Sequence, residues 1–130
     1  MIILASHGHL ASGMKHTLEL ILGEQKDLFA FDAYCNGIDS VKDLVKETIS
    51  KYKPDTLVVL TDVVGGSVNN EMVQLSSEFP AMKLLAGMNT PLLLSILTSN
   101  DLEIDNSLKE AREGLVDVKS LLKNIEEDEL

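Results

Sequence analysis

Short apolar runs alternate along the chain with longer segments in which apolar residues recur every three or four positions. Runs of strand length lie at residues 2–5, 28–32, 56–61 and 82–86, and a helical pattern follows each of them. The run at 56–61 is β-branched and apolar on both faces, which is typical of a central parallel strand. The repeated strand–helix order predicts an α/β fold: an open, mostly parallel β-sheet with helices on both faces.

Several helix ends carry signals of their own. Gly23 can stop the first helix, and Ser40 with Asp43 forms a weak capping box before the second. Thr90 followed by Pro91 predicts an N-cap and a proline at the first helical position.

The C-terminal segment allows two interpretations. Its apolar residues, from Ile104 to Ile125, alternate at spacings of three and four, which fits one long helix. However, Gly114 is a good helix stop, and residues 115–119 tolerate a short strand. We therefore predict a helix over 105–113, and then a fifth, antiparallel strand at the edge of the sheet.

Composition narrows the class of protein. The 130 residues fit a single domain, 1–130, with a frayed acidic tail over 124–130. A single cysteine, Cys35, favours a reducing compartment, and we expect the cytoplasm. A net charge of −10 disfavours binding to nucleic acid or anionic lipid. The N-terminus has no signal peptide pattern, and the uncharged stretch 84–100 is interrupted by turn residues, so we predict no membrane insertion.

Polar residues follow three of the predicted strands. The segments are Ser6-His7-Gly8-His9, then Asp62 to Ser67, and then Gly87 to Pro91. Ligands of open parallel sheets bind beyond the carboxyl ends of the strands, so a histidine, a carboxylate and a glycine-rich helix start should converge on one rim.

These residue types suit phosphoryl transfer. A neutral imidazole such as that of His7 is a nucleophile near pH 7, provided that one tautomer is fixed. Asp62 is the obvious carboxylate to accept a hydrogen bond from the far ring nitrogen. Gly65 and Gly66 allow the backbone amides at a helix start to approach an anion, and Ser67 adds a hydroxyl.

Each residue also has an ordinary structural interpretation. On position alone, His7 could equally be a loop histidine, and Gly65-Gly66-Ser67 only a tight turn with an N-cap. His9 fits an exposed loop position. The histidines and Cys35 show no recognised zinc spacing, so we expect no metal and no cofactor.

Four segments resemble those of a known family, in the same order along nearly the whole chain. They are Ser6-His7-Gly8, Ile21 to Gln25, Thr61 to Ser67 and Gly87 to Pro91. With these, the sequence resembles the IIA component of the mannose/fructose/sorbose class of the bacterial sugar phosphotransferase system. Valines stand at 63 and 64, where some members of that family carry an aromatic residue in a loop that faces partner proteins.

The resemblance implies roles for individual residues. The phosphorylated histidine of the family falls on His7, its imidazole-holding aspartate on Asp62, and its glycine-rich loop on Gly65, Gly66 and Ser67. Ser6, Gly8 and Asn89 are further candidates for contacts at the rim.

The resemblance also implies a phosphotransferase component with defined partners. Phosphate would come from the carrier protein HPr and pass to a IIB component, which works with membrane IIC and IID components. A homodimer is implied as well, in which a C-terminal strand can cross to the other subunit.

Three alternative functions remain at this stage. The phosphotransfer subunit of a dihydroxyacetone kinase system shares the fold and the histidine position. A receiver domain would be phosphorylated on Asp62, but it requires an acidic pair for Mg²⁺ where this chain has Ser6-His7. A nucleotide binder would require a G-x-G-x-x-G pattern that the loop lacks.

Overall fold

A computed structural model of the protein describes residues 1–128. They form two compact units, Met1–Met88 and a second unit that begins at Asn89. The first unit contains β1 (Ile2–His7), α1 (Leu10–Leu22), β2 (Leu28–Ala33), α2 (Lys42–Tyr52), β3 (Leu57–Thr61), α3 (Ser67–Ser76) and β4 (Met82–Ala86).

The strands form a parallel sheet in the order β2-β1-β3-β4. The register sets Leu4 between Ala30 of β2 and Leu60 of β3. The strand–helix alternation explains the parallel pairing, because each helix carries the chain back to the start of the next strand. The prediction of a parallel sheet is confirmed, and β1 and β3 occupy its centre.

Helices cover both faces of this sheet. Ile3 of β1 and Val59 of β3 belong to one core cluster with Val45 of α2 and Met72 of α3. Side chains alternate between the faces along a strand, so the buried Leu4 lies on the opposite face. That is the face of α1, which lies along β1 and β2.

Glycine ends α1 as predicted. Gly23 has φ 84°, a conformation that favours glycine, and its N–H donates to the carbonyl of Glu19 at 2.9 Å. The chain can therefore turn sharply from α1 toward β2.

The second unit begins with α4 (Thr90–Thr98), followed by α5 (Ile104–Glu113). The predicted N-cap at Thr90 is wrong by one residue. Asn89 has the extended backbone of an N-cap, and its side-chain oxygen accepts a hydrogen bond from the N–H of Leu92 at 2.9 Å. Thr90 is thus the first helical residue and Pro91 the second.

The predicted fifth strand at 115–119 is also wrong. The chain forms α6 (Val118–Asp128) instead, and the described residues contain only the four strands of the parallel sheet. Asp117 starts α6, because its carboxylate accepts the N–H of Ser120 at 3.2 Å and its carbonyl accepts that of Leu121 at 3.0 Å. The hydrogen bonds from Ser120 lower the pKa of Asp117.

The helical spacing of the apolar residues was therefore a stronger signal than the tolerance of residues 115–119 for a strand. Gly114 does end a helix, as predicted. The expected frayed tail over 124–130 overlaps α6 up to Asp128, and its last two residues lie outside the described part of the chain. None of the helices in residues 1–128 combines the length and apolarity needed to cross a membrane.

Gly114→Ala is expected to lower the free energy of unfolding by about 1–3 kcal/mol. An added Cβ would lie 2.7 Å from Cγ and 3.0 Å from Cβ of Pro91, whose ring cannot rotate away. Urea denaturation measures the loss. The matched control is Gly13→Ala in α1, where nothing lies within 4 Å of the added Cβ and helix propensity should raise stability. Equal midpoints for Gly114→Ala and the wild type would contradict this packing.

Candidate functional site

A carboxylate fixes the imidazole of His7. His7 ends β1, and Asp62 directly follows the neighbouring β3, so both lie at the carboxyl edge of the sheet. Oδ2 of Asp62 lies 2.9 Å from Nδ1 of His7 and accepts the backbone N–H of the same residue at 3.0 Å. A carboxylate oxygen accepts only, so the ring proton of neutral His7 resides on Nδ1. Nε2 is left with its lone pair.

The charge of Asp62 is directed at His7. Burial alone would raise the pKa of Asp62, but the backbone and ring N–H groups of His7 hold the pKa below its ordinary value. Its other oxygen, Oδ1, is buried and has no hydrogen-bond partner among the described residues. The carboxylate is therefore ionised at neutral pH, and His7 together with the backbone N–H of Asp62 itself stabilises its charge.

The free ring nitrogen faces the start of α3. Nε2 of His7 lies 3.2 Å from Oγ of Ser67, the first residue of that helix. The first N–H groups of a helix have no acceptor inside it and attract anions. Here the first intrahelical bond runs from Asn70 N–H to the carbonyl of Gly66, the N-cap residue. An anion bonded to Nε2 would meet this helix start.

The glycine at position 66 allows the loop after β3 to approach the imidazole of His7 closely. A Cβ built on Gly66 would lie 3.0 Å from Cε1 of His7 and 3.0 Å from Cγ1 of Val63. Gly65 precedes it with φ 79°, in the left-handed region. The loop after β3 thus depends on both glycines, for different reasons.

Gly66→Ala is expected to slow the phosphoryl uptake that the sequence predicts by about ten- to a hundredfold, because the new methyl group displaces the ring that it meets. The rate of labelling by a phosphorylated donor protein measures the effect. Gly13→Ala, with open space around its added Cβ, is the control and should retain the wild-type rate. Wild-type labelling of Gly66→Ala would show that the ring tolerates the displacement.

Tyr34, which the sequence analysis missed, completes the site. Its ring stacks on the imidazole of His7 with 5.6 Å between centroids, and its hydroxyl lies 2.8 Å from Oγ of Ser67. The available signal was its place directly after β2, at the same edge of the sheet as His7. Only the loops after the other three strands had been considered.

His9 forms a second histidine–carboxylate pair. Its Nδ1 lies 3.0 Å from Oδ2 of Asp32, which also accepts the hydroxyl of Ser12 at 2.6 Å. Burial raises the pKa of Asp32, but the hydrogen bonds from Ser12 and His9 outweigh it and lower the pKa overall. The side chain of His9 is 74% exposed, in line with the exposed loop position expected for it.

Two of the three candidate rim residues make hydrogen bonds that stabilise the fold. Ser6 is fully buried, and its hydroxyl accepts the N–H of Ala11 at 2.8 Å. Asn89 caps α4 and donates to the carbonyl of Ala111 at 2.9 Å. Gly8 directly follows His7 and has φ 60°. Its N–H donates to the carbonyl of Ala33 at 2.9 Å.

Comparisons with known proteins agree on one family. A family model described as EIIA-man, the fructose IIA component of the phosphotransferase system, matches residues 1–113 and so reaches both compact units. The sorbose-specific EIIA component of Lacticaseibacillus casei is 29% identical over 105 residues, which cover 79% of this chain and 76% of that protein. The fructose-specific EIIA component of Bacillus subtilis (strain 168) is 26% identical, and the match covers 99% of this chain and 98% of that protein.

Solved structures give the same result. A protein of Klebsiella pneumoniae assigned to the phosphoenolpyruvate-dependent sugar phosphotransferase system superimposes with a TM-score of 0.82 at 34% identity. The match covers 93% of this chain and 92% of that one. The similarity therefore extends over the fold and the sequence together.

Proposed function

Since this chain belongs to the EIIA-man family of phosphotransferase-system IIA components, we propose that it carries a phosphoryl group on Nε2 of His7. The donor is phosphorylated HPr, and the acceptor is a cognate IIB component. The observation that carries this proposal is the bond from Nδ1 of His7 to Asp62 at 2.9 Å, which leaves Nε2 as the nucleophile.

Transfer consists of an in-line displacement at phosphorus. The lone pair of Nε2 forms the new N–P bond, while the N–P bond to the donor histidine breaks and its electron pair returns to that ring. Asp62 stabilises the positive charge that develops on the imidazole, as a triad aspartate does. Transfer to the IIB component repeats the step with His7 as the leaving group.

The helix start of α3 balances the incoming charge. A phosphoryl group brings negative charge to a protein with a net charge of −10. The free amides at Ser67 and beyond, and the positive end of the helix dipole, offset that charge locally. Little more than positioning and charge stabilisation is required of the protein.

The alternatives are less well supported. As an acyl-phosphate acceptor, Asp62 has only its buried Oδ1 to offer, because Oδ2 holds both the backbone and the ring of His7. Its side chain is also less exposed than that of His7, at 12% against 40%. The relatives' names, sorbose- and fructose-specific EIIA components, favour sugar uptake over a dihydroxyacetone kinase system.

The proposal also covers the location, the oligomeric state and the partners of the protein. It would act in the cytoplasm as a homodimer, and its IIB acceptor would serve membrane IIC and IID components. Val63 and Val64 lie beside the site and are exposed, so they are positioned to contact HPr or the IIB component.

The test is to incubate the protein with enzyme I, HPr and phosphoenolpyruvate, and then to map the modified residue by mass spectrometry. We expect one phosphoryl group on His7, labile in acid and stable in base. An alkali-labile phosphoryl group on Asp62 would establish the receiver alternative instead, and an unmodified protein would refute transfer from HPr.

A further inference from the structure

We propose that Tyr34 is a positioning residue of this site, whose hydroxyl aims the proton of Ser67 at Nε2 of His7 and at the phosphoryl group once it is bound there. The inference rests on the proposed function for its role in transfer. The hydrogen-bond chain behind it exists in the unphosphorylated protein, so it can also be tested separately.

The positions of the protons set the direction in which these hydrogen bonds run. Nδ1 of neutral His7 donates to Asp62, so Nε2 can only accept. The hydroxyl of Ser67, 3.2 Å away, must therefore donate its single proton to Nε2. Oγ of Ser67 then accepts from the hydroxyl of Tyr34 at 2.8 Å. The hydroxyl of Tyr34 thus donates to Ser67, and the hydroxyl of Ser67 donates to His7.

The chain of hydrogen bonds changes in one place on phosphorylation. The new N–P bond occupies the lone pair of Nε2, so Ser67 can no longer donate to it. The hydroxyl of Tyr34 still donates to Oγ of Ser67 and keeps that proton from turning toward Tyr34. A phosphoryl oxygen is then the acceptor that remains in front of Ser67, at the start of α3.

The backbone at Tyr34 supports a role in the site. Its φ of 61° lies in the left-handed region, which is costly for a bulky residue and is found mainly where structure and function require it. A tight turn follows at once. Asn36 and Gly37 also have positive φ, and Ile38 N–H donates to the carbonyl of Cys35 at 3.0 Å, as in a tight type I′ turn.

The ring of Tyr34 has a second effect. It lies nearly parallel to the imidazole, with 20° between the two planes, beside one face of a side chain that remains 40% exposed. Water therefore reaches the imidazole from fewer directions. The stacked ring should lengthen the lifetime of the phosphohistidine, whether or not its hydroxyl is present.

The first test uses the unphosphorylated protein. In ¹⁵N NMR spectra, recorded at a pH where the ring is neutral, the Nε2 resonance of His7 should move in Ser67→Ala. It should move in the same direction, by a smaller amount, in Tyr34→Phe. A Tyr34→Phe spectrum identical to that of the wild type would overturn the hydrogen-bond chain, whatever the protein's function is.

The second test is kinetic and uses a double-mutant cycle. Tyr34→Phe should slow transfer from phosphorylated HPr by about threefold to tenfold, the effect of one hydrogen bond. In a Ser67→Ala background it should change the rate less than about twofold, because its hydroxyl then has no target. Equal slowing in both backgrounds would overturn the inference. Absence of phosphate on wild-type His7 would instead refute the proposed function.

The third test separates the ring from the hydroxyl. Tyr34→Gly removes the side chain and suits the positive φ, so the variant should fold. Its phosphohistidine should hydrolyse several-fold faster than that of the wild type, and Tyr34→Phe should restore the wild-type lifetime. Equal lifetimes for Tyr34→Gly and the wild type would overturn the shielding role of the ring.

Discussion

His7→Ala is expected to abolish phosphoryl uptake from HPr, a loss of roughly a thousandfold or more, because it removes the proposed nucleophile. His9→Ala should retain most of the uptake and serves as the matched control. Both histidines have Nδ1 held by a carboxylate, and they lie two residues apart. They differ in what faces Nε2, since only His7 has the hydroxyl of Ser67 and the start of α3 in front of it.

The measurement is incorporation of radioactive phosphate from labelled phosphoenolpyruvate, with enzyme I and HPr present in catalytic amounts. Circular dichroism of each variant verifies that it is folded. Retained labelling in His7→Ala, together with loss in His9→Ala, would reassign the phosphoryl group to His9. Loss in both variants would show that His9 is also required, for example as a contact for the donor protein.

The fold was largely predictable because each strand run is bounded by turn residues and followed by a helical pattern. In β3 every residue is buried, which is the arrangement that its two-sided apolar pattern indicated. The order of strands in the sheet was not predicted. It depends on how α1 and α2 cross opposite faces, and no local pattern encodes that choice.

The C-terminal segment shows why local signals compete. Gly114 was correctly taken as a helix stop, but residues 115–119 were assigned to a strand although the helical spacing continues to Ile125. In the structure, Asp117 caps a new helix whose exposed face carries Leu121, Leu122 and Ile125. The spacing of these residues fits a helix and contradicts the alternation of a strand.

The candidate site was partly predictable from position alone. Residues at the ends of adjacent parallel strands must lie near one another, so His7 and Asp62 could be paired from the sequence. Tyr34 directly follows β2, which is also a neighbour of β1, so its position was open to the same inference. Its contact with His7 also involves a positive φ, which the strand pattern does not predict. The tight turn formed by Asn36 and Gly37 follows it, and the sequence of that turn had not been recognised.

Asp62→Asn is expected to slow transfer by about 10²- to 10⁴-fold while leaving a folded protein. Asparagine has nearly the same shape, but it carries no charge, and its amide can donate to Nδ1. That donation would favour the tautomer with the proton on Nε2, where no lone pair is available for phosphorus. Ser67→Ala, which leaves the pair of His7 and Asp62 intact, is the matched control and should be slowed much less.

The pH dependence of stability provides an independent test of the same pair. The pKa of Asp62 is lowered in the folded protein, so its ionised form contributes stability that is fully present above its ordinary pKa of 3.8. This contribution is lost as the pH falls through the lower, folded-state pKa. Urea denaturation at neutral pH should therefore show the wild type to be more stable than Asp62→Asn, and the difference should shrink below about pH 4. A difference that stays constant into the acid range would mean that the carboxylate charge is not what holds the imidazole, and the assignment of Nε2 as the nucleophile would lose its basis.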